Sequence, residues 1–187
     1  MNTFNTREEM FLSFPRNIKI LEIGVFRGTF SDFIYKNVQP NELHLIDLFE
    51  GMVFSGDVDG NNVTTISLTE HYDLLKTKYA KHSNVFIKKG KSSEILQTYP
   101  DDYFDIIYID GDHSYEGATT DLELSYKKIK NGGLVCGHDY EMNMNKAIHN
   151  YQFGVKQAIN TFCSKRNLAI THKALDGCVS VGIIINK

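Results

Sequence analysis

Short apolar runs alternate with amphipathic segments along most of this chain. The apolar runs are nearly continuous, which is typical of strands buried on both faces of a parallel sheet. The amphipathic segments carry apolar residues at helical spacing and end near Pro or Gly residues. The pattern predicts strands over 17–24, 42–49, 84–90, 103–110 and 134–140, and helices over 29–38, 67–82, 92–100, 117–133 and 154–166.

This alternation of strand and helix predicts the fold class. Parallel neighbours need a crossover connection, so the order indicates a mainly parallel sheet with helices on both faces. Two further strand-like runs, 168–175 and 179–186, predict a C-terminal antiparallel strand pair. No internal repeat or linker divides the sequence. We therefore expect an α/β protein, with one doubly wound, Rossmann-like domain over residues 1–187.

Net charge, cysteine spacing and the apolar runs indicate which partners and which cellular compartment to expect. A formal net charge of -3 argues against nucleic acid as a partner. The cysteines Cys136, Cys163 and Cys178 are widely spaced, which favours a reducing compartment over a disulfide framework. The N-terminus lacks an apolar signal region, and no run approaches the roughly 18 apolar residues of a membrane span. We expect a cytoplasmic protein that binds neither nucleic acid nor membrane, and a homo-oligomer remains compatible with the sequence.

Acidic residues, histidines and glycines follow the predicted strands. Open α/β sheets bind ligands beyond the carboxyl ends of their strands, so these residues should share one edge. They are Glu22, Gly24 and Gly28 after the first strand, Asp47 after the second, Lys91 and Ser92 after the third, Asp110, Asp112 and His113 after the fourth, and His138 and Asp139 after the fifth.

The first two strand ends favour a nucleoside ligand. Gly24 allows a tight turn and close approach of a ligand to the backbone. A dinucleotide-binding turn would need glycine where Glu22 stands, and a carboxylate there would repel a pyrophosphate. Asp47 is placed to accept hydrogen bonds from both hydroxyls of a ribose. A ribose-bearing cofactor without a pyrophosphate fits this pattern better than a nicotinamide dinucleotide.

The pattern E-x-G-x-x-x-G, followed by an acid after strand two and another after strand four, resembles class I S-adenosylmethionine-dependent methyltransferases. The stretches "DLFEG" (47–51), "KKGKSSEIL" (88–96) and "YIDGDHSYEGATTDLE" (108–123) resemble a metal-dependent subset, the macrolide and aminocoumarin sugar O-methyltransferases. The resemblance implies that Glu22, Gly24 and Gly28 line the methionine part, Asp47 holds the ribose, and Lys91 and Ser92 lie against the adenine. The cofactor-binding set that it implies also includes Val25, Phe26, Leu48 and Asp110.

The residues after the fourth and fifth predicted strands indicate a metal site and a catalytic base. Asp110 and Asp139 follow adjacent strands and can face one another across a divalent ion such as Mg²⁺ or Mn²⁺, with His138 as a third ligand. Relatives usually carry two acids, or an acid and an amide, at the positions of His138 and Asp139. The base that accepts the proton of the acceptor is Asp112 or His113. We favour His113, because the pKa of a histidine lies near neutrality, and Asp112 would then orient it.

The acceptor that this resemblance implies is a small hydroxylated molecule such as a sugar or a diol. We interpret residues 55–68 as a loop on the acceptor side, since they lack the glycine and glutamate of a calcium loop. Tyr140, Tyr151 and Phe153 are candidates for the acceptor pocket. Two alternatives remain: a non-catalytic member of the fold that binds S-adenosylmethionine or a sugar, and a nicotinamide-dependent oxidoreductase, which Glu22 opposes.

Overall fold

The computed structural model describes residues 1–55, 64–141 and 153–187. Its strands are β1 (Asn2–Phe4), β2 (Lys19–Ile23), β3 (Glu42–Asp47), β4 (Met52–Ser55), β5 (Thr64–Ser67), β6 (Val85–Lys89), β7 (Phe104–Ile109), β8 (Ile129–Gly137), β9 (Ile170–Ala174) and β10 (Ser180–Ile184). Its helices are α1 (Arg7–Leu12), α2 (Thr29–Phe33), α3 (Leu68–Tyr79), α4 (Ser92–Ile95), α5 (Tyr115–Lys128) and α6 (Val155–Arg166). A π-helical segment (Ile34–Val38) extends α2, and a 3₁₀ turn (Leu96–Thr98) extends α4.

Most of the described strands form one eight-stranded sheet in the order β1-β9-β10-β8-β7-β2-β3-β6. The strands from β8 to β6 in this order are parallel to their neighbours. β10 runs antiparallel to both β8 and β9, and β1 adds a short parallel strand beside β9. This topology confirms the predicted α/β class, the mainly parallel sheet and the C-terminal antiparallel pair.

Each face of the sheet carries its own apolar core, because alternate residues of a strand point to opposite faces. Leu21 and Ile107 pack on one face with buried residues of α5 and α6. Ile20 and Tyr108 pack on the other face with buried residues of α1, α2 and α3. Since helices cover both faces, a ligand can reach the central strands only at their ends.

Two sequence-based boundaries were wrong. The helix predicted over 117–133 ends at Lys128, and β8 begins at Ile129. The glycines after it lie in an irregularity of β8: Gly132 has a φ of 80°, and its N–H donates to the carbonyl oxygen of Ile185 at 2.7 Å. The N-terminal elements β1 and α1 were missed because such short segments show no periodicity.

The stretch interpreted as an acceptor-side loop, 55–68, is partly strand. β4 and β5 form a separate antiparallel pair, and Ser67 caps the start of α3 by accepting from the backbone N–H of Glu70. Residues 56–63 lie outside the described residues, as does Tyr151. Across the three described ranges, no helix has the length and apolar character needed to cross a bilayer.

Candidate cofactor-binding and catalytic site

A cavity of about 890 Å³ lies at the carboxyl ends of the parallel strands. It spans the point between β2 and β7 where the order of the strands reverses, the place where open α/β sheets bind ligands. Its volume suits a small-molecule cofactor. The predicted site residues in its wall are Gly24, Phe26, Asp47, Leu48, Lys91, Ser92, Asp110, Asp112, His113, His138 and Asp139.

The turn after β2 depends on glycine at position 24. Gly24 has a φ of 86°, in the left-handed region that other residues adopt only at a cost. A Cβ there would lie 2.0 Å from the backbone carbonyl oxygen of Asp110. The turn after β2 and the end of β7 are therefore packed backbone to backbone, which brings Gly24 and Asp110 to the same part of the cavity.

Asp47 holds this turn in place. Its Oδ2 accepts a hydrogen bond from the backbone N–H of Phe26 at 2.8 Å. Its Oδ1 accepts one from the backbone N–H of Phe49 at 2.7 Å. A carboxylate oxygen has a second lone pair, so each oxygen can still accept a hydrogen bond from a ligand hydroxyl. The position is compatible with the predicted ribose contact.

A buried acid that the sequence analysis did not single out lies at the β6 end of the cavity. Asp121 of α5 is 3 % exposed, and its Oδ1 accepts a hydrogen bond from the Ser92 hydroxyl at 2.6 Å. Burial raises the pKa of Asp121 to about 6, and the bond from Ser92 opposes part of that rise. Lys91 is the N-cap residue of α4 and Ser92 is its first residue. Polar side chains therefore line the end of the cavity where the adenine is predicted.

Glu22, Val25 and Gly28 are not part of the cavity wall. Glu22 is 2 % exposed on the α2 side of β2 and accepts a hydrogen bond from the Ser31 hydroxyl. Burial raises its pKa to about 8. This raised pKa and the position outside the cavity wall weaken the argument that a Glu22 carboxylate repels a pyrophosphate. Direct contact of these three residues with a cofactor stays a prediction.

His113 lies between two carboxylates. Its Nε2 is 3.3 Å from Oδ1 of Asp110 and 3.0 Å from Oδ2 of Asp139, and its ring stacks on Phe153. Burial opposes the charged imidazolium, but the hydrogen bonds to Asp110 and Asp139 outweigh it and raise the pKa of His113 to about 9. This pKa lies above the near-neutral value expected from the sequence, and without a bound cation it favours the protonated ring at pH 7.

Asp112, the other candidate base, is also in the wall. Its Oδ1 accepts a hydrogen bond from the backbone N–H of Ser114 at 2.9 Å, which helps to start α5. Tyr140, a candidate for the acceptor pocket, donates its hydroxyl proton to Oδ1 of Asn160 and is absent from the wall, as is Phe153. The choice between Asp112 and His113 as base stays open.

The predicted metal ligands do not form one group. Within the described part of the chain, ligand atoms lie within 4.8 Å of one another in two sets, Asp110–His113–Asp139 and His138–Asp139–Cys178. His138 is held by the Ser180 hydroxyl, 2.8 Å from its Nδ1. The structure thus places His113 beside both Asp110 and Asp139, whereas His138 lies beside Asp139, with its Nε2 3.8 Å from Oδ1. The backbone of Asp139 is in the left-handed region, with a φ of 56°.

Arg7 is a further charged wall residue that the sequence did not reveal. It precedes the first predicted strand, in a segment with no periodic pattern, so no signal linked it to the site. Asp121 did lie within the quoted stretch "YIDGDHSYEGATTDLE". Its position inside a helix, rather than at a strand end, concealed its approach to Ser92.

Residues 21–140 match a family described as "Methyltransferase domain". An uncharacterized protein, R132, of Acanthamoeba polyphaga mimivirus is 26% identical over 141 residues, which cover 74% of this chain and 59% of that protein. This chain thus spans less than two thirds of that relative.

Solved methyltransferases share the fold. The N-methyltransferase NodS from Bradyrhizobium japonicum WM9 has a TM-score of 0.66 at 15% identity, over 97% of this chain and 95% of that one. The O-methyltransferase NovP has a TM-score of 0.63 at 21% identity, over 91% and 72%. The chain belongs to the family of methyltransferase domains.

Proposed function

We propose that this protein transfers the methyl group of S-adenosylmethionine to a hydroxyl of a small molecule, such as a sugar or a diol, with the help of a divalent cation. One observation carries the proposal: a single cavity is lined by the carboxylate of Asp47, the proposed ribose contact, and by the cluster Asp110–His113–Asp139. Similarity in fold to the O-methyltransferase NovP supports the hydroxyl acceptor. The sugar-modifying subset stays part of the proposal.

The order of the strands predicts where each part of the cofactor would lie. The adenine would lie beside Ser92 at the end of β6, and the ribose on Asp47 at the end of β3. The methionine part would follow the turn at Gly24, after β2. This path carries the methyl group towards Asp110 at the end of β7, where the acceptor would meet it.

The residues at this end fit a divalent cation. Asp139 is 5 % exposed, and its Oδ1 has no hydrogen-bond partner among the described residues. That oxygen lies 3.8 Å from Nε2 of His138, whereas Oδ2 faces His113, and a cation beside this buried carboxylate would satisfy it. Asp110, His113 and Asp139 would hold the ion, and the imidazole favours Mn²⁺ over Mg²⁺. A bound cation would lower the cost of forming an alkoxide on the acceptor.

Side chains of the protein would accept the proton of the hydroxyl and align the acceptor. In the transfer, the bond from the methyl carbon to sulfur breaks as its bond to the acceptor oxygen forms, and the sulfonium becomes a neutral thioether. The hydroxyl proton passes to Asp112 when His113 holds the cation. Nε2 of His113 can accept it only when that nitrogen binds no cation and has lost its own proton. The cavity wall aligns the acceptor oxygen with the methyl carbon and excludes water, which favours a direct displacement.

One observation favours a second candidate, a member of the fold that binds S-adenosylmethionine without turnover. At neutral pH, His113 keeps its proton between Asp110 and Asp139, which removes one of the two candidate bases. The family match sets aside the nicotinamide-dependent alternative. The proposed partner is a small molecule rather than nucleic acid or membrane, and the proposed compartment is the cytoplasm.

A ligand panel tests the proposal. Melting temperatures are measured with S-adenosylmethionine, S-adenosylhomocysteine and NAD, each with Mn²⁺ or with chelator, because a ligand that binds only the native state raises the melting temperature. We expect a rise with the two S-adenosyl compounds and none with NAD. Release of S-adenosylhomocysteine is then measured over a panel of sugars and diols. Binding without release on any acceptor would favour the non-catalytic candidate, and no binding would refute both.

A further inference from the structure

Arg7 is anchored at the edge of the cavity by contacts with distant parts of the chain. It is the first residue of α1, and Thr6 caps that helix by accepting from the backbone N–H of Glu9. The backbone N–H of Arg7 donates to Oδ2 of Asp176 at 3.0 Å, in the turn between β9 and β10. α1 is thus fixed against the sheet, and the Arg7 side chain enters the site from outside the family match of residues 21–140.

The guanidinium group is held over the central strands. Its Nη1 donates to the Tyr108 hydroxyl at 3.0 Å and lies 3.5 Å from Oδ2 of Asp110. Its central carbon lies 4.4 Å from the centre of the Phe30 ring. The side chain is 24% exposed. Although burial disfavours the charge, Tyr108 and Asp110 hold the pKa of Arg7 above its ordinary value, so the cation is permanent.

The strand order predicts which part of the cofactor reaches this cation. With adenine at the end of β6 and ribose at the end of β3, the amino acid part continues across β2 towards β7, because these strands are consecutive neighbours. Each step to the next strand is roughly 4.8 Å. The amino acid carboxylate would therefore come to the ends of β2 and β7, where Arg7 contacts Tyr108 and Asp110.

Because the cavity wall carries more acidic than basic side chains, a carboxylate at the ends of β2 and β7 needs a cation to offset the repulsion. Its wall contains the acids Asp47, Glu50, Asp110, Asp112, Glu116, Asp121 and Asp139. These attract a sulfonium and an ammonium group but repel a carboxylate. Among the described wall residues, the basic side chains besides His138 are Arg7, Lys91 and His113. Lys91 lies at the β6 end, and His113 faces Asp110 and Asp139. A planar guanidinium can also donate two parallel hydrogen bonds to a carboxylate.

We propose that Arg7 binds the carboxylate of the methionine part of S-adenosylmethionine. This proposal rests on the proposed function, because it assumes the same cofactor in the same cavity. It adds a specificity: Arg7 distinguishes cofactors that carry an amino acid from nucleosides that lack one.

Calorimetry with two ligands tests this role in the full-length chain without an acceptor. S-adenosylhomocysteine carries the amino acid, whereas 5′-methylthioadenosine has the same thioether nucleoside without it. We expect Arg7→Gln to weaken S-adenosylhomocysteine by roughly 10- to 100-fold, the usual range for loss of a charged hydrogen bond. Binding of 5′-methylthioadenosine should stay unchanged, which also shows that the variant folds. Arg7→Lys, with a point charge in place of the planar group, should lose less.

Arg16→Gln is the matched control, since Arg16 is exposed beyond α1 and donates to the Gln39 side chain. It should leave both affinities unchanged. Unchanged S-adenosylhomocysteine binding in Arg7→Gln would overturn the role of Arg7 and leave the proposed function intact. An equal loss for both ligands would also overturn it, because Arg7 would then act through the fold or through Asp110. Failure of wild type to bind S-adenosylhomocysteine would refute the proposed function itself.

Discussion

Asp121→Asn should stabilise the protein at neutral pH. Asp121 is 3 % exposed, and burial raises its pKa from the ordinary 3.8 to about 6. Above pH 6 the folded state must therefore hold a buried, ionised carboxylate. Asparagine has nearly the same shape, and its Oδ1 can still accept the hydrogen bond that the Ser92 hydroxyl donates. The substitution removes the buried charge and keeps the contact.

The sign and the size of this effect follow from the two pKa values. Because the folded-state pKa is raised, the contribution of Asp121 to stability is full below pH 3.8 and is lost as the pH rises through 6. The whole loss is about 3 kcal/mol, since each pKa unit corresponds to about 1.4 kcal/mol. About 2 kcal/mol of it develops between pH 4.5 and 7.5.

Urea unfolding at pH 4.5 and pH 7.5 measures the effect. The free energy of unfolding of Asp121→Asn, relative to wild type, should be larger at pH 7.5 than at pH 4.5. Asp73→Asn, at an exposed acid of α3, is the control for the general loss of a negative charge and should show no such dependence on pH. A variant that is no more stable than wild type at pH 7.5, or whose gain is the same at both pH values, would refute the reasoning.

Three further changes address the proposed chemistry. His113→Gln should lower turnover by roughly 10²–10⁴-fold while S-adenosylhomocysteine binding is kept. If His113 is the base, wild-type turnover rises as the pH approaches 9, where its proton leaves. Near-full turnover in both this variant and Asp112→Asn would show that neither is the base. Asp47→Ala should weaken S-adenosylhomocysteine by roughly 10- to 100-fold in calorimetry, and an unchanged affinity would move the ribose elsewhere. Asp139→Asn should weaken Mn²⁺ binding, followed by the electron paramagnetic resonance signal of the free ion; turnover of wild type in excess chelator would instead remove the metal from the proposal.

The pattern of apolar and polar positions was sufficient to predict the architecture. Strand runs such as 103–110 and helices such as 154–166 agree closely with β7 and α6, because local side-chain periodicity reports directly which face is buried. The boundary at 117–133 was misplaced because the glycines of β8 resemble a helix end in sequence. What makes them part of a strand is hydrogen bonding to Ile185, which is remote in sequence, while Ile129 and Leu134 on either side of them pair with β7.

The sequence also determined which residues share the edge of the sheet. Once parallel strands are predicted, residues at their carboxyl ends must meet there, and Gly24, Asp47, Asp110 and Asp139 do so in the cavity wall. This inference needs no side-chain coordinates, since it follows from strand direction alone.

Only the tertiary structure decided which of these groups touch and which carry charge. Packing brought His113, rather than His138, between Asp110 and Asp139, and it brought Arg7 from a separate helix to Asp110. Burial raised the pKa of Glu22, whereas the pKa of His113 is raised against burial because two carboxylates face it. Side-chain direction and desolvation depend on atoms contributed by distant segments, and a pattern read along one segment contains no information about them.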